Sequence, residues 1–238
     1  MSLALNKIQT GRRHMSFDIL TLENLKFMGI GALWSLILAI GALVCGTILG
    51  IIGAAGRISK HRVPRFIATA YVEIIRGTPM LLQIFFFFLA VPSIFRMITG
   101  APFTPQALVV GWAAMSINSG AYSTELIRSG IVGVDKGQWE AGKTLGLSYF
   151  QIMRFIILPQ AFKRIVPPLV SEFITLVKDS SLVSTIGAVE LLGASRILGA
   201  RYYEYLTPLL TASIFYLCIT MTISFFARRL ERRLAVSD

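Results

Sequence analysis

FMGIGALWSLILAIGALVCGTILGIIGAAG, residues 27–56, carries no charged side chain. A helix crossing the hydrocarbon core of a bilayer needs about 20 predominantly apolar residues. The stretch therefore reads as a membrane span with length to spare for tilt. Within it Ala42, Gly46, Gly50 and Ala54 recur at every fourth position. Small residues at that spacing let two helices approach closely, which marks a packing face. The rest of the chain agrees. Of its 238 residues 55% are hydrophobic and 15% charged, whereas soluble domains are nearer about 45–50% apolar and about 25% charged. No segment is long or polar enough to form a second, soluble domain.

A second span is expected from about 64 to 90, with Glu73, Arg76 and Pro79 inside it. Gly100, Pro102 and Pro105 mark a turn, and a third span covers about 105–128. A polar stretch, 129–165, follows. Pro167 and Pro168 open a fourth span, 166–177, since proline is tolerated in a first helical turn. Lys178-Asp179-Ser180-Ser181 interrupts it, and residues 182–198 look amphipathic. A fifth span, 205–227, ends in Arg228-Arg229. The fold class is thus an all-α integral membrane protein: five transmembrane helices over 27–230, a polar tail at 1–26, a second tail at 231–238, and a helical loop at 129–165.

The formal net charge is +11. The bases cluster in loops and at the C-terminus, which suits the positive-inside rule and contact with anionic membrane lipids, not nucleic acid. Arg57, Lys60, Arg62, Arg65, Arg128, Lys136, Lys143, Arg154, Lys163, Arg164, Arg228, Arg229, Arg232 and Arg233 fall on one side. Only Lys7, Arg12, Arg13, Lys26, Arg96, Arg196 and Arg201 fall on the other. This imbalance places the polar loop and the C-terminus in the cytoplasm. No signal-peptide pattern precedes the first span, and Met15 offers an alternative start. Cys45 and Cys218 both sit in apolar runs and read as free thiols, not a disulfide.

The polar loop reads as helix, turn, helix. Gly146 suits a left-handed helix end. Ser148 and Gln151 form a capping-box pair that opens the next helix, and Pro159 is expected to end it. The residues Glu140-Ala141-Gly142, then Gly146, then Ile156-Ile157-Leu158-Pro159 resemble the EAA motif of bacterial ABC importer membrane subunits, with no insertion or deletion. Gly142 departs from the family's Ala. The resemblance implies a cytoplasmic knob that docks on an ATP-hydrolysing partner, with coupling carried by Glu140, Ala141, Gly142, Leu145 and Gly146. An ordered loop without a partner is the blander reading. The departure at Gly142 also makes Gly137–Thr144 satisfy the phosphate-cradling pattern G-x-x-x-x-G-K-[ST]. A P-loop needs a preceding strand, a surrounding parallel sheet and a Walker-B acid, and no apolar run ending in Asp supplies the last.

Ionisable residues at membrane depth are functional candidates. Glu73 and Arg76, at i and i+3, are placed to pair with each other, and Pro79 weakens their helix. Thr78 lies between Arg76 and Pro79, and Arg76-Gly77-Thr78-Pro79 resembles the RGTP segment of polar amino acid permeases. These four serve either gating or packing. Asn118, Tyr122 and Glu125 share one helical face, with Ser119 at its border. That face either lines an aqueous path or ties helices together. Lys178, Asp179, Ser180 and Ser181 suit a broken helix facing a cavity. Lysine there could meet a substrate carboxylate and aspartate an ammonium, or the two could neutralise one another or pair with Glu172. The KDSSL segment resembles the corresponding stretch of the same permeases.

From Phe27 onward the chain resembles a polar amino acid ABC importer permease of the bacterial inner membrane. The resemblance implies a second permease subunit, identical or homologous, and a pair of ATP-binding subunits. It also implies a periplasmic or lipid-anchored amino-acid-binding protein. ATP and Mg²⁺ would belong to the partner ATPase, with no cofactor, metal or catalytic residue expected in this chain. The rival reading is an integral-membrane enzyme using Glu73, Glu125 and Glu172.

Overall fold

The computed structural model describes residues 17–235. Lys7, Arg12, Arg13, His14 and Met15 lie outside the described residues, as do residues 236–238. Every regular element among the described residues is helical.

Helix α1 (Leu22–Ile58) opens on Thr21, whose side chain accepts the Asn24 N–H at 3.2 Å. Glu23 lies in its first turn and Arg57 in its last, matching the helix dipole. Its small-residue face packs on α5 (Ala107–Val132). A Cβ added at Gly46 would lie 2.7 Å from Ser119 Cβ, and one at Gly50 would lie 2.5 Å from Ser123 Cβ. Carbon atoms prefer about 3.5–4.0 Å, so any side chain at either position would push the two helices apart. The four-residue repeat is the seam that holds the bundle together.

The span expected over 64–90 is divided. Helix α2 (Arg62–Arg76) stops, Gly77-Thr78-Pro79 turns, and α3 (Met80–Phe85) begins. The residue before a proline is driven out of the helical region, and Pro79 itself is extended, with φ −62° and ψ 138°. A π-helical turn, Phe86–Ala90, joins α3 to α4 (Val91–Thr99), which ends on left-handed Gly100 at φ +72°.

After α5 come α6 (Lys136–Thr144), α7 (Tyr149–Ile152), a π-helical turn Met153–Ile157, and α8 (Leu158–Asp179). Pro159 does not end a helix, as expected from sequence; it lies in the first turn of α8. The π turn just before it has already displaced the hydrogen-bond register, so little is lost with the missing N–H. Pro167 and Pro168 lie inside α8, not at its start. The chain is not unwound at 178–181 either. It tightens into a 3₁₀ helix, Ser180–Ile186, and turns at left-handed Gly187, φ +92°. Helix α9 (Leu191–Tyr202) follows at 47° to the preceding rod, and α10 (Leu206–Ala235) closes the bundle.

Glu190 fixes that turn, a role its sequence context does not announce. It is fully buried. Its carboxylate accepts the N–H groups of Leu192 at 2.9 Å and Gly193 at 2.8 Å, capping α9. It also accepts from Ser35 Oγ on α1 at 3.2 Å and from Tyr216 Oη on α10 at 2.9 Å. One buried acceptor thus gathers three helices, each donor offsetting part of the cost of its burial.

Among the described residues three helical stretches are long and apolar enough to cross a membrane: Leu22–Ile58, Met80–Thr99 and Leu206–Arg233. Helix α5 has the length but carries Ser116, Asn118, Ser119, Ser123, Thr124 and Glu125. It packs on α1, α2, α3 and α8, so these polar groups face protein and not lipid. Around it Leu38, Ala42, Ile84, Met115, Leu176 and Val183 form the main apolar core.

Candidate functional site

Two regions bring together the residues that carry chemistry. The first is the α6–α7 hairpin. Asp135 caps α6, its Oδ1 accepting the Gly137 N–H at 2.7 Å. Gly146, at φ +72°, ends the turn. Its N–H donates to Lys143 O at 2.9 Å, and Leu147 N–H donates to Gly142 O at 3.1 Å. The capping box of Ser148 and Gln151 forms in both directions. Trp139 stacks on Tyr149 with ring centres 5.5 Å apart. Gly142 is buried against Ile152. Ile152, Ile157, Ala161 and Ile165 form a satellite core with Ala54, Ile127 and Val134. Arg164 donates to the Gly133 carbonyl and ties α8 to the end of α5.

The hairpin is thus a rigid knob, and its free surface is mixed. Glu140 and Ala141 are exposed. So are Leu145 (76%), Tyr149 and Phe150. Large apolar side chains around one carboxylate suit a protein partner better than solvent. The same geometry removes the P-loop reading. Residues 137–144 lie wholly within α6, no strand precedes them among the described residues, and Gly142 faces isoleucine. Thr144 Oγ1 donates to Glu140 O at 3.0 Å, within its own helix.

The second region is a cavity of about 550 Å³ where the α2–α3 turn meets α5 and α8. Arg76, Gly77, Thr78, Pro79 and Met80 line one wall, Asn118 and Tyr122 a second, and Glu172, Thr175 and Asp179 the third. The Arg76 guanidinium sits 5.1 Å from the centre of the Tyr122 ring, within cation–π range. A walled pocket with carboxylates on one side and a guanidinium on the other can hold a zwitterion by both ends.

The remaining candidates do not line the cavity. Ser119 is fully buried, against α1 on one side and beside the Glu172 carboxylate on the other. Glu125 is held by Arg57 Nη1 at 2.7 Å and by a forked contact from Arg128, so it locks α1 to α5. Lys178 is exposed outside the cavity lining. Ser180 Oγ donates to Val177 O at 2.7 Å, and the Ser181 carbonyl accepts Ser184 Oγ, so both finish the helix. Glu73 is exposed, and the expected Glu73–Arg76 pair is not among the ion pairs of the described residues. The three carboxylates of the enzyme reading do not converge, since only Glu172 lines the cavity. Among the described residues no cluster of His, Cys, Asp and Glu is placed to hold a metal ion.

Sequence reasoning left Glu172 as a side partner and missed Thr175 and Gln83. Glu172, Thr175 and Asp179 recur at i, i+3 and i+7, one helical face, so periodicity could have joined them. Gln83 sits in an apolar run and gives no local signal.

The family described as "Binding-protein-dependent transport system inner membrane component" matches residues 46–236. The chain is 39% identical over 211 residues to the putative glutamine transport system permease protein GlnP of Rickettsia bellii, covering 89% of this chain and 94% of that one. It is 35% identical over 218 residues to the arginine transport system permease protein ArtQ of Bacillus subtilis, covering 92% and 97%. A solved structure, an amino acid ABC transporter with histidines, superposes with a TM-score of 0.83 at 34% identity, covering 89% of this chain and 96% of that chain.

Proposed function

The chain belongs to the family of binding-protein-dependent transport system inner membrane components, and on that premise we propose that it conducts a polar amino acid through the cavity between the α2–α3 turn, α5 and α8. It is a membrane-embedded permease subunit of an ABC transporter, a transport component and not an enzyme.

The observation that carries the substrate class is the cavity's charge pattern. Glu172 and Asp179 face it from one wall and Arg76 from another. An α-ammonium suits the two carboxylates and an α-carboxylate the Arg76 guanidinium. Two carboxylates against one guanidinium favour neutral or cationic amino acids over acidic ones.

Half of the pathway belongs to another permease, identical or homologous. Ser171, Thr175 and Lys178 form an exposed polar stripe on α8. Lipid is a poor neighbour for such a stripe, whereas a second subunit across an aqueous path suits it. The α6–α7 hairpin and the C-terminus face the cytoplasm, where each hairpin seats on an ATP-binding subunit of a separate pair. Closure of that pair around ATP and Mg²⁺ moves the hairpins and alternates access to the cavity. A periplasmic or lipid-anchored binding protein delivers the substrate.

Thr175→Cys, in a chain with Cys45 and Cys218 replaced by serine, tests the pathway. A small water-soluble thiol reagent should block uptake, and transported amino acid should slow the reaction. Full uptake after complete modification would remove the cavity from the route.

A further inference from the structure

We infer that Gln83 is a positioning residue that fixes which end of the Asn118 amide faces the cavity. The inference rests on reading that cavity as the amino acid pathway.

The helix break before Pro79 leaves backbone carbonyls without their usual helical donors. Thr78 Oγ1 donates to Ile74 O at 2.9 Å. Gln83 Nε2 brings further donors to the break: it donates to Ile75 O at 2.8 Å and lies 3.1 Å from Thr78 O and 2.9 Å from Thr78 Oγ1. An amide nitrogen has two N–H groups, so three acceptors leave it no donor to spare. Its other end, Oε1, therefore turns toward α5 and accepts Asn118 Nδ2 at 3.0 Å. Both side chains are buried, 6% and 7% exposed, so water does not compete for these bonds.

This chain of bonds has a direction. Reversing Gln83 would set its Oε1 against the Ile75 and Thr78 carbonyls. Reversing Asn118 would set its Oδ1 against Gln83 Oε1. Asn118 must present its NH₂ group to Gln83, which leaves Oδ1 for the cavity that Asn118 lines. Asn118 Oδ1 is not among the enclosed, unpartnered side-chain atoms. A fixed acceptor there suits an N–H of a substrate ammonium and disfavours a carboxylate at the same point. A freely turning asparagine would discriminate between neither. The polarity is thus set by the broken backbone at Pro79 and relayed through Gln83.

The test is equilibrium binding of radiolabelled L-arginine and L-glutamine to the assembled transporter in nanodiscs, without its binding protein, using whichever binds more tightly. Gln83→Met keeps the length of the side chain and removes its polarity. It should weaken binding about tenfold, the scale of one hydrogen bond to a charged group. Asn118→Leu should weaken binding as much, and the double variant no further, because the two act through one contact. Gln83→Glu in its protonated form can donate its hydroxyl to the Ile75 carbonyl and still accept Asn118 Nδ2 through its other oxygen, and in that form should stay within about threefold of the parent chain. Wild-type affinity in Gln83→Met overturns the relay. So does a loss that persists undiminished in the Asn118→Leu background, which would mean that Gln83 acts on the helix break alone. A loss in protonated Gln83→Glu equal to that of Asn118→Leu also overturns it. Unchanged binding in Asn118→Leu, or no binding of either amino acid, removes the cavity reading itself.

Discussion

Ile152 Cγ1 lies 2.8 Å from the point that a Cβ on Gly142 would occupy. The one position where this chain departs from the EAA pattern is therefore a packing position, with Ile152 and Ile156 filling the room an alanine methyl would take. Helix propensity alone favours alanine over glycine by about 1 kcal/mol. Overpacking a tight core costs about 1–3 kcal/mol, and Ile152 is 1% exposed within the satellite core. The steric term wins. Gly142→Ala is expected to lower the thermal midpoint of the purified complex, and Ile152→Ala in the same chain to relieve that particular loss. A simple sum of the two single effects would show that the contact does not couple them.

Arg57 and Arg128 converge on Glu125, with these side chains 19–32% exposed. Partly exposed ion pairs contribute about 1 kcal/mol or less each. Glu125→Gln should accordingly lower the melting temperature modestly and leave amino acid affinity alone. Reduced affinity at an unchanged melting temperature would put Glu125 in the pathway.

Glu172 and Asp179 face the cavity together. Replacing each by its amide should weaken L-arginine binding by about tenfold more than L-glutamine binding, because the extra cationic group loses a charged partner. Equal effects on both ligands would confine the carboxylates to the shared α-ammonium.

Orientation is testable at two exposed positions, Gln138 on the hairpin and Tyr203, 94% exposed, between α9 and α10. In a chain lacking Cys45 and Cys218, an impermeant maleimide applied to intact cells should label a cysteine at 203 and spare one at 138. The reverse pattern inverts the topology.

Much of the fold is legible in local pattern. The uncharged run at 27–56 and its four-residue repeat of small side chains predict α1 and a close-packing face on it; that the face meets α5 is seen only in the fold. The glycine and serine signals at 146 and 148 predict the hairpin, because caps are decided by neighbouring backbone. Prolines read less well. Pro79 does not merely weaken a helix but ends one, since the turn is stabilised by Gln83 from four residues further on. Pro159 is absorbed by a π turn that no nearby residue signals. The cavity is the hardest part. Asn118 and Tyr122 announce themselves by helical spacing, yet their partners Glu172 and Arg76 arrive from other helices. Charge alone also misleads: Glu125 shares the spacing of Asn118 and is consumed by Arg57, whose approach depends on how α1 crosses α5.

We propose that the α6–α7 hairpin converts ATP hydrolysis in a partner into passage through this chain. ATP-driven accumulation of radiolabelled L-arginine or L-glutamine, in proteoliposomes holding the permease, its ATPase subunit and its binding protein, measures this coupling most directly. The parent complex should accumulate amino acid only with ATP and only with the ATPase present. Glu140→Lys should abolish accumulation, since leaving a charged interface contact unpaired costs about 2–5 kcal/mol. Accumulation by the permease without the ATPase, or undiminished accumulation by Glu140→Lys, would contradict it.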